Sequence, residues 1–347
     1  MKAIKFFAIS AMAAAMITSC SSEDELSQSN YPSDNIIRVT AGVNNAKTRA
    51  EGQGVTAMDK PFSLTIINKN TESTELAKKY TYVDKVFSKS SSGNWTCSET
   101  LLWQNDKTPV DIVAFAPAQT GKFSGVCDNA GNIKPITYSV ATDQSTLSDY
   151  NDLLYYYTPG FVPGGTNLDK DGKLSIKFNH AFCMIDINVT LGTEFNKPEV
   201  LKESPIVKVT LDGTKIAANV DVKNAATGST TTTAASVVTA SETATPTTIT
   251  TTKGTFTKAA NEEANAKSCF SCIAIPQTVA ANTFKVSLMT AGKRYEWTSA
   301  DKVELKSGYK YTLELSMGND VVLLKGGSIS ATPWTEAEIS DNTLETE

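Results

Sequence analysis

The chain has 347 residues, enough for two domains of ordinary size. Its formal net charge of −5, from 32 basic and 37 acidic residues, argues against a nucleic-acid partner, whose binders carry a basic face or stripe. A single histidine, His180, removes multi-histidine metal centres and leaves histidine acid–base catalysis resting on one residue. Thr, Ser, Ala, Val and Asn are abundant and Leu-rich helical runs are scarce, so the composition points to an all-β, secreted, non-catalytic protein.

Lys2 and Lys5 precede an apolar run over 6–17, whose twelve residues are too few to span a bilayer core, which takes about 20. The run reads as a cleaved signal, residues 1–19. It ends in Ile17-Thr18-Ser19-Cys20, which resembles a bacterial lipobox with Cys20 as the acylated residue. Ser21-Ser22-Glu23-Asp24-Glu25 resembles the export signal that carries lipoproteins to the outer face of the outer membrane; its blander reading is an acidic tether. Acyl chains on Cys20, at about 0.8 kcal/mol per buried CH₂, give a stable anchor. Loss of residues 1–19 leaves 30 basic and 37 acidic residues, net −7.

Residues 21–35 read as a flexible tether. Ile37, Val39, Ala41 and Val43 then alternate with Arg38, Thr40, Gly42 and Asn44, the pattern of a half-buried strand. It breaks into a polar loop over 44–54 with Arg49 near its centre, the kind of loop preferred for proteolytic nicking. Phe62, Leu64 and Ile66 alternate next, and further strands are expected over 101–103, 110–117 and 152–158. A turn over 167–172 leads into Leu174, Ile176 and Phe178. Alternation changes parity at Ile185, Ile187 and Val189, which predicts a bulge or bend over 180–184, because one extra residue exchanges the faces.

A second set of strands begins with Val207, Val209 and Leu211. The Thr/Ser/Ala-rich stretch over 224–252 suits long hairpins with mobile tips. Strands follow over 269–275 and 284–289. The clearest alternation is Tyr309, Tyr311, Leu313, Leu315 and Met317, and strands over 321–324 and 329–335 close the series. No amphipathic helix longer than about three turns stands out, and many short strands with turn signals mean β-sandwiches. A boundary near Leu191-Gly192 divides the chain into a signal (1–19), a propeptide with tether and first strand (20–49), an N-terminal sandwich (50–191) and a C-terminal sandwich (192–347).

The chemistry-bearing residues read as structural. Beyond Cys20, five cysteines are a poor disulfide framework, and Cys269-Phe270-Ser271-Cys272 has neither a second CxxC nor a nearby histidine to complete a zinc site. Its two thiols fall on opposite faces of a strand. Asp169-Lys170-Asp171-Gly172 has the opening of a calcium loop without the downstream glutamate, so turn chemistry explains it better. His180 reads as a hydrogen-bonded structural histidine. Trp95, Trp103, Trp297 and Trp334 read mainly as core, and Tyr155-Tyr156-Tyr157 is the best candidate for an exposed aromatic contact. No nucleophile–base pair or paired carboxylates stand out, so no enzyme activity, metal or cofactor is expected.

Several stretches taken in order resemble the fimbrillin family, subunits of type V pili: the lipobox, Pro109-Val110-Asp111-Ile112-Val113-Ala114-Phe115-Ala116-Pro117, Leu174-Ser175-Ile176-Lys177-Phe178-Asn179-His180-Ala181, Leu305-Lys306-Ser307-Gly308-Tyr309-Lys310-Tyr311 and Pro333-Trp334-Thr335. The resemblance implies two tandem transthyretin-like β-sandwiches, lipoprotein export, and a cut by an arginine-specific protease between Arg49 and Ala50. It implies head-to-tail partners of the same family, an outer-membrane lipid anchor before the cut, a fimbrium at the cell surface, and an adhesive role toward a host or bacterial surface ligand. The implied donor strand is the C-terminal segment, with Ile329, Ala331, Pro333 and Trp334 as its candidate residues. Residues 336–347 are acidic and lack strict apolar alternation, so either 329–334 donates or the subunit sits at the tip, where no donation is needed. The alternative is a monomeric surface lipoprotein that binds glycans through exposed aromatics.

Overall fold

The computed structural model describes residues 29–44, 58–195, 202–225, 236–260, 265–318, 322–324 and 329–334. The first half contributes β1 (Arg38–Val43), β2 (Phe62–Asn68), β3 (Tyr82–Lys89), β4 (Trp95–Cys97), β5 (Val110–Ala116), β6 (Ile136–Ser139), β7 (Leu154–Phe161) and β8 (Lys173–His180). Then come β9 (Cys183–Leu191), β10 (Ile206–Thr214), β11 (Ala217–Val220), β12 (Val238–Ala240), β13 (Thr247–Thr250), β14 (Thr252–Thr257) and β15 (Lys267–Ala274). The last are β16 (Gln277–Val279), β17 (Lys285–Thr290), β18 (Arg294–Thr298), β19 (Val303–Leu305), β20 (Tyr309–Met317), β21 (Val322–Leu324) and β22 (Ser330–Pro333). Among the described residues the one α-helix, α1 (Thr74–Lys79), is a short turn capped by the Ser73 hydroxyl. The chain is all-β.

Seven strands form the first sheet in the order β1-β8-β7-β5-β2-β3-β4. Every neighbouring pair is antiparallel except β1 and β8, which run parallel from Arg38 opposite Lys173 to Val43 opposite Phe178. Most of the second half builds a six-stranded sheet with the path β14-β15-β9-β20-β21, in which β22 also pairs with β20, and a four-stranded sheet β13-β10-β17-β18. Smaller sheets join β12, β11 and β6, and β16 with β19.

The parity change has a structural cause. Leu174, Ile176, Phe178 and His180 are the buried residues of β8, whereas Ile185, Ile187, Val189 and Leu191 are buried in β9. Between them Ala181 and Phe182 are wholly buried, and the chain leaves the first sheet there to become an inner strand of the six-stranded one. The boundary read at Leu191-Gly192 therefore lies one strand later than the change of sheet. β9 is long and apolar on alternate residues, so the glycine that ends it is the louder sequence signal.

Two buried clusters result. One gathers Ile37, Val39, Phe62, Phe87, Trp103, Ile176 and Phe178 beneath the first sheet; the other fills the second half and takes Ile67, Val113 and Phe115 from the opposite face of β2 and β5. Those two strands are thus covered on both faces, which explains their near-continuous apolar runs. The Thr-rich stretch holds one long hairpin, in which β12 returns antiparallel on β11, whereas β13 and β14 depart from the expected hairpins and join two other sheets. Buried Val238, Ile249, Thr251 and Thr252 anchor them, with the Thr251 hydroxyl donating to the Val209 carbonyl at 3.1 Å. The strand expected over 101–103 is a single bridge from Leu102 to Ile36.

Candidate functional site

The first strand is an edge strand tied down at both ends. The Asp34 carboxylate accepts the Ile36 N–H at 3.1 Å and both terminal nitrogens of Arg38 at 3.0 and 2.6 Å, which holds its carboxyl down at about 2. The Ile37 N–H donates to the Leu101 carbonyl at 2.9 Å and the Trp103 N–H to the Asn35 carbonyl at 2.8 Å, so the residues leading into β1 reach across to the segment after β4. From Arg38 onward the strand follows β8. It ends at Asn44, whose N–H donates to the Phe178 carbonyl at 2.6 Å and whose side-chain amide donates to Asn179 Oδ1 at 3.0 Å.

The alternation read in the sequence points β1 inward: Ile37 and Val39 are buried, and Ala41 and Val43 pack half-buried against the same cluster. That cluster centres on Phe62, which stacks with Phe87 at 5.5 Å and meets Trp95 and Phe178 edge-on at 5.0 and 5.5 Å. Beside β1, on the side of β4, lies a cavity of about 430 Å³ floored by Ile37, Val39, Phe87, Trp95 and Leu101. β1 thus covers the Phe62 cluster with Val39 and forms one wall of this cavity, whose rim carries Arg38, Asn94, Glu99 and Lys173. An edge strand beside a greasy groove is the geometry of strand addition, in which main-chain bonds supply affinity and alternate side chains supply register.

At the other end of the chain, β22 pairs antiparallel with the first half of β20, from Pro333 opposite Tyr309 to Ser330 opposite Thr312, while β21 covers the second half. Ile329 is half-buried, Ala331 and Pro333 are exposed, and Trp334 is buried. The indole lies flat on the His180 imidazole, with ring centres 3.7 Å apart and planes 9° from parallel, and the Trp334 N–H donates to the Gly308 carbonyl at 2.6 Å. His180 is structural, as read: Nδ1 stands 3.0 Å from the Asp152 carboxylate in the buried interior. Cys20, Arg49, Ala50 and the acidic end 336–347 lie outside the described residues.

The remaining candidates carry no reactive arrangement. Cys97, Cys127, Cys183 and Cys272 form no disulfide, and burial pushes the Cys183 and Cys272 thiols far above their usual range. The Asp169 carboxylate accepts the N–H groups of Asp171 and Lys173 at 2.9 and 2.8 Å, which is turn chemistry. The tyrosines correct the reading of an exposed aromatic contact: Tyr155 and Tyr157 pack on one cluster and Tyr156 on the other. β7 lies between two cores, so neither of its faces is free. All four tryptophans are buried or half-buried. Among the described residues no three His, Cys, Asp or Glu side chains stand close enough to hold a metal ion.

Asn44, Asp152 and Asn179 escaped sequence reasoning. Asn44 looked like the first residue of a loop, and no local pattern links Asp152 to a histidine in another strand.

A family model for fimbrillin-like proteins matches residues 48–334. The chain belongs to the fimbrillin-like family. Solved structures agree on the fold: a candidate cell adhesion protein from Bacteroides ovatus matches at a TM-score of 0.59 and 15% identity, over 87% of this chain and 99% of that one. A fimbrial protein from Bacteroides vulgatus matches at 0.51 and 16%, over 86% and 99%. A candidate cell adhesion protein from Bacteroides uniformis matches at 0.53 and 15%, over 88% and 100%. Comparison with curated proteins gives no match.

Proposed function

We propose that this fimbrillin-like chain is a structural, adhesive subunit of a bacterial surface fimbria, exported as a lipoprotein through Cys20, cut between Arg49 and Ala50, and polymerised by strand exchange. The carrying observation is β1: an edge strand, alone in running parallel within its sheet, covers the apolar cluster around Phe62 and leads directly into the arginine-bearing loop. A cut after Arg49 frees β1 from every covalent tie to the body of the protein. Its departure exposes the β8 edge together with Phe62, Phe87 and Phe178, which a strand from a second copy re-covers. That contact is head-to-tail and does not close on itself, so it grows a filament.

The donor in this reading is the segment 329–334. It is held to its own body by four register pairs with β20 and by one indole, with Ala331 and Pro333 unburied. The glycan-binding alternative has no exposed tryptophan or tyrosine triplet among the described residues to serve as its platform. The test is digestion of the chain beginning at Cys20 with an arginine-specific protease, read by N-terminal mass analysis and by sizing in unboiled detergent. A single cut that yields Ala50 as the new N-terminus, followed by a ladder of oligomers, is expected. A persistent monomer after a clean cut removes the donor role, and no preferred cut at Arg49 removes the whole reading.

A further inference from the structure

β1 and β22, the two segments that exchange in the proposed assembly, end at one small cavity. Its volume is about 230 Å³, and Asn44, Asn179, His180, Ser307, Gly308 and Trp334 are among its lining residues. Asn44 is the last residue of the N-terminal strand's ladder and Trp334 is the residue that closes the C-terminal one. They come from opposite ends of the chain, 290 positions apart by number.

His180 stands between them. It is the final residue of β8, next to the Phe178 carbonyl and Asn179 side chain that Asn44 clamps. Its own carbonyl accepts the Ser307 hydroxyl at 3.1 Å, and Gly308, one residue on, holds the Trp334 N–H. Its Nδ1 is committed to Asp152, while its Nε2 is buried with no hydrogen-bond partner, under the face of the indole. A buried nitrogen without a partner favours any state in which water reaches it. The indole covers one face of the ring, and Asn44 lines the same cavity as His180.

We infer that His180 couples the two ends: while β1 is seated, Trp334 stays stacked and the C-terminal strand is held on its own body, and departure of β1 opens the cavity, hydrates Nε2 and loosens that strand. The coupling adds a control to strand exchange and rests on that reading for its purpose, though not for its physics. It makes donation conditional on the cut, so an uncut precursor neither accepts nor offers a strand.

Coupling between two sites is reciprocal, and this gives the test. Hydrogen exchange is followed on the uncut, monomeric full chain for two sets of amides, residues 38–44 and, Pro333 having no N–H, the remaining residues of 330–334, with Leu313 and Leu315 of β20 as the internal control. Loss of a ring stack of this kind changes an opening equilibrium by roughly threefold to tenfold. Trp334→Ala is expected to speed exchange in 38–44 by that factor, and Asn44→Ala to speed exchange in 330–334 by the same factor, with the control amides unchanged. Acceleration confined to the segment that carries the substitution overturns the coupling. Where Asn44→Ala disturbs the control amides as well, the wild-type chain cut at Arg49 replaces it, and unchanged exchange in 330–334 after the cut is the overturning result. Ladders are scored separately: ladders without cross-acceleration retain strand exchange and overturn the coupling, whereas cross-acceleration without ladders retains the coupling and overturns the donor role.

Discussion

If β1 is a detachable strand, it opens without the rest of the protein. Val39 lies at the centre of this question, 4% exposed and facing the aromatic cluster. Val39→Ala removes two methyl groups, each worth about 0.8 kcal/mol, or roughly 1.6 kcal/mol together. Val39 lines the neighbouring cavity of about 430 Å³, and the transfer cost falls on the seating of β1. At about 1.4 kcal/mol per tenfold, the opening equilibrium of β1 rises by roughly fifteenfold. Hydrogen exchange reads this directly: the ladder amides of β1 exchange roughly fifteen times faster, while the β9–β20 amides keep their rates. Arg38→Ala is the control. Its side chain is exposed and bonded to exposed Asp34, so exchange in β1 changes by less than about threefold. Equal acceleration of the β9–β20 amides by Val39→Ala would refute the reasoning, because β1 would then open only with global unfolding.

Other expectations follow from the same structure. Asp34 is held at about 2 by Arg38 and the Ile36 N–H; its contribution to seating β1 is present above the ordinary carboxylate range and disappears as the pH falls toward that value, which a carboxyl titration by NMR, with Asp34→Asn as control, checks. Burial raises the Asp186 carboxyl despite the Lys310 ammonium at 2.5 Å, so this group favours folding most when protonated and the benefit falls as the pH rises through its folded value. Asp186→Asn is expected to remove that slope and to change stability at pH 7 by less than about 1 kcal/mol in urea melts, since Lys310 reaches water. Phe62→Ala empties the centre of the aromatic cluster and costs about 3–5 kcal/mol in the same assay. Gly213 adopts φ +92° with the Thr283 carbonyl oxygen only 2.1 Å from where a Cβ would sit, so Gly213→Ala is expected to disrupt the β10–β17 pairing, seen as loss of exchange protection there.

Much of this architecture is legible in the residues because a half-buried strand writes its faces as alternation. β1, β8, β9 and β20 follow the predicted parity, and the shift around His180 marks the passage from one sheet to another. The Thr-rich stretch was harder: threonine suits exposed hairpins and buried ladders equally, and the choice rests on hydroxyl partners such as the Val209 carbonyl, which lie far away in sequence. Tyr155-Tyr156-Tyr157 misled for a related reason. Alternation shows that successive rings face opposite sides, but not that a second core covers the outer one. The candidate site was partly legible. The strand and the arginine-bearing loop are local patterns, whereas the Asn44 clamp and the Asp152–His180–Trp334 stack join residues that no spacing rule connects.

In the proposed assembly the segment beside β8 changes identity. Electron cryomicroscopy of fibres grown from the cut chain tests it most directly. The expected density along Lys173–Phe178, in the place of β1, is that of residues from the C-terminal end of the neighbouring subunit, with Ile329 and its alternate partners over the Phe62 cluster and the first half of β20 vacated. Fibres in which β1 remains on β8, or in which each Trp334 remains stacked on its own His180, would contradict it.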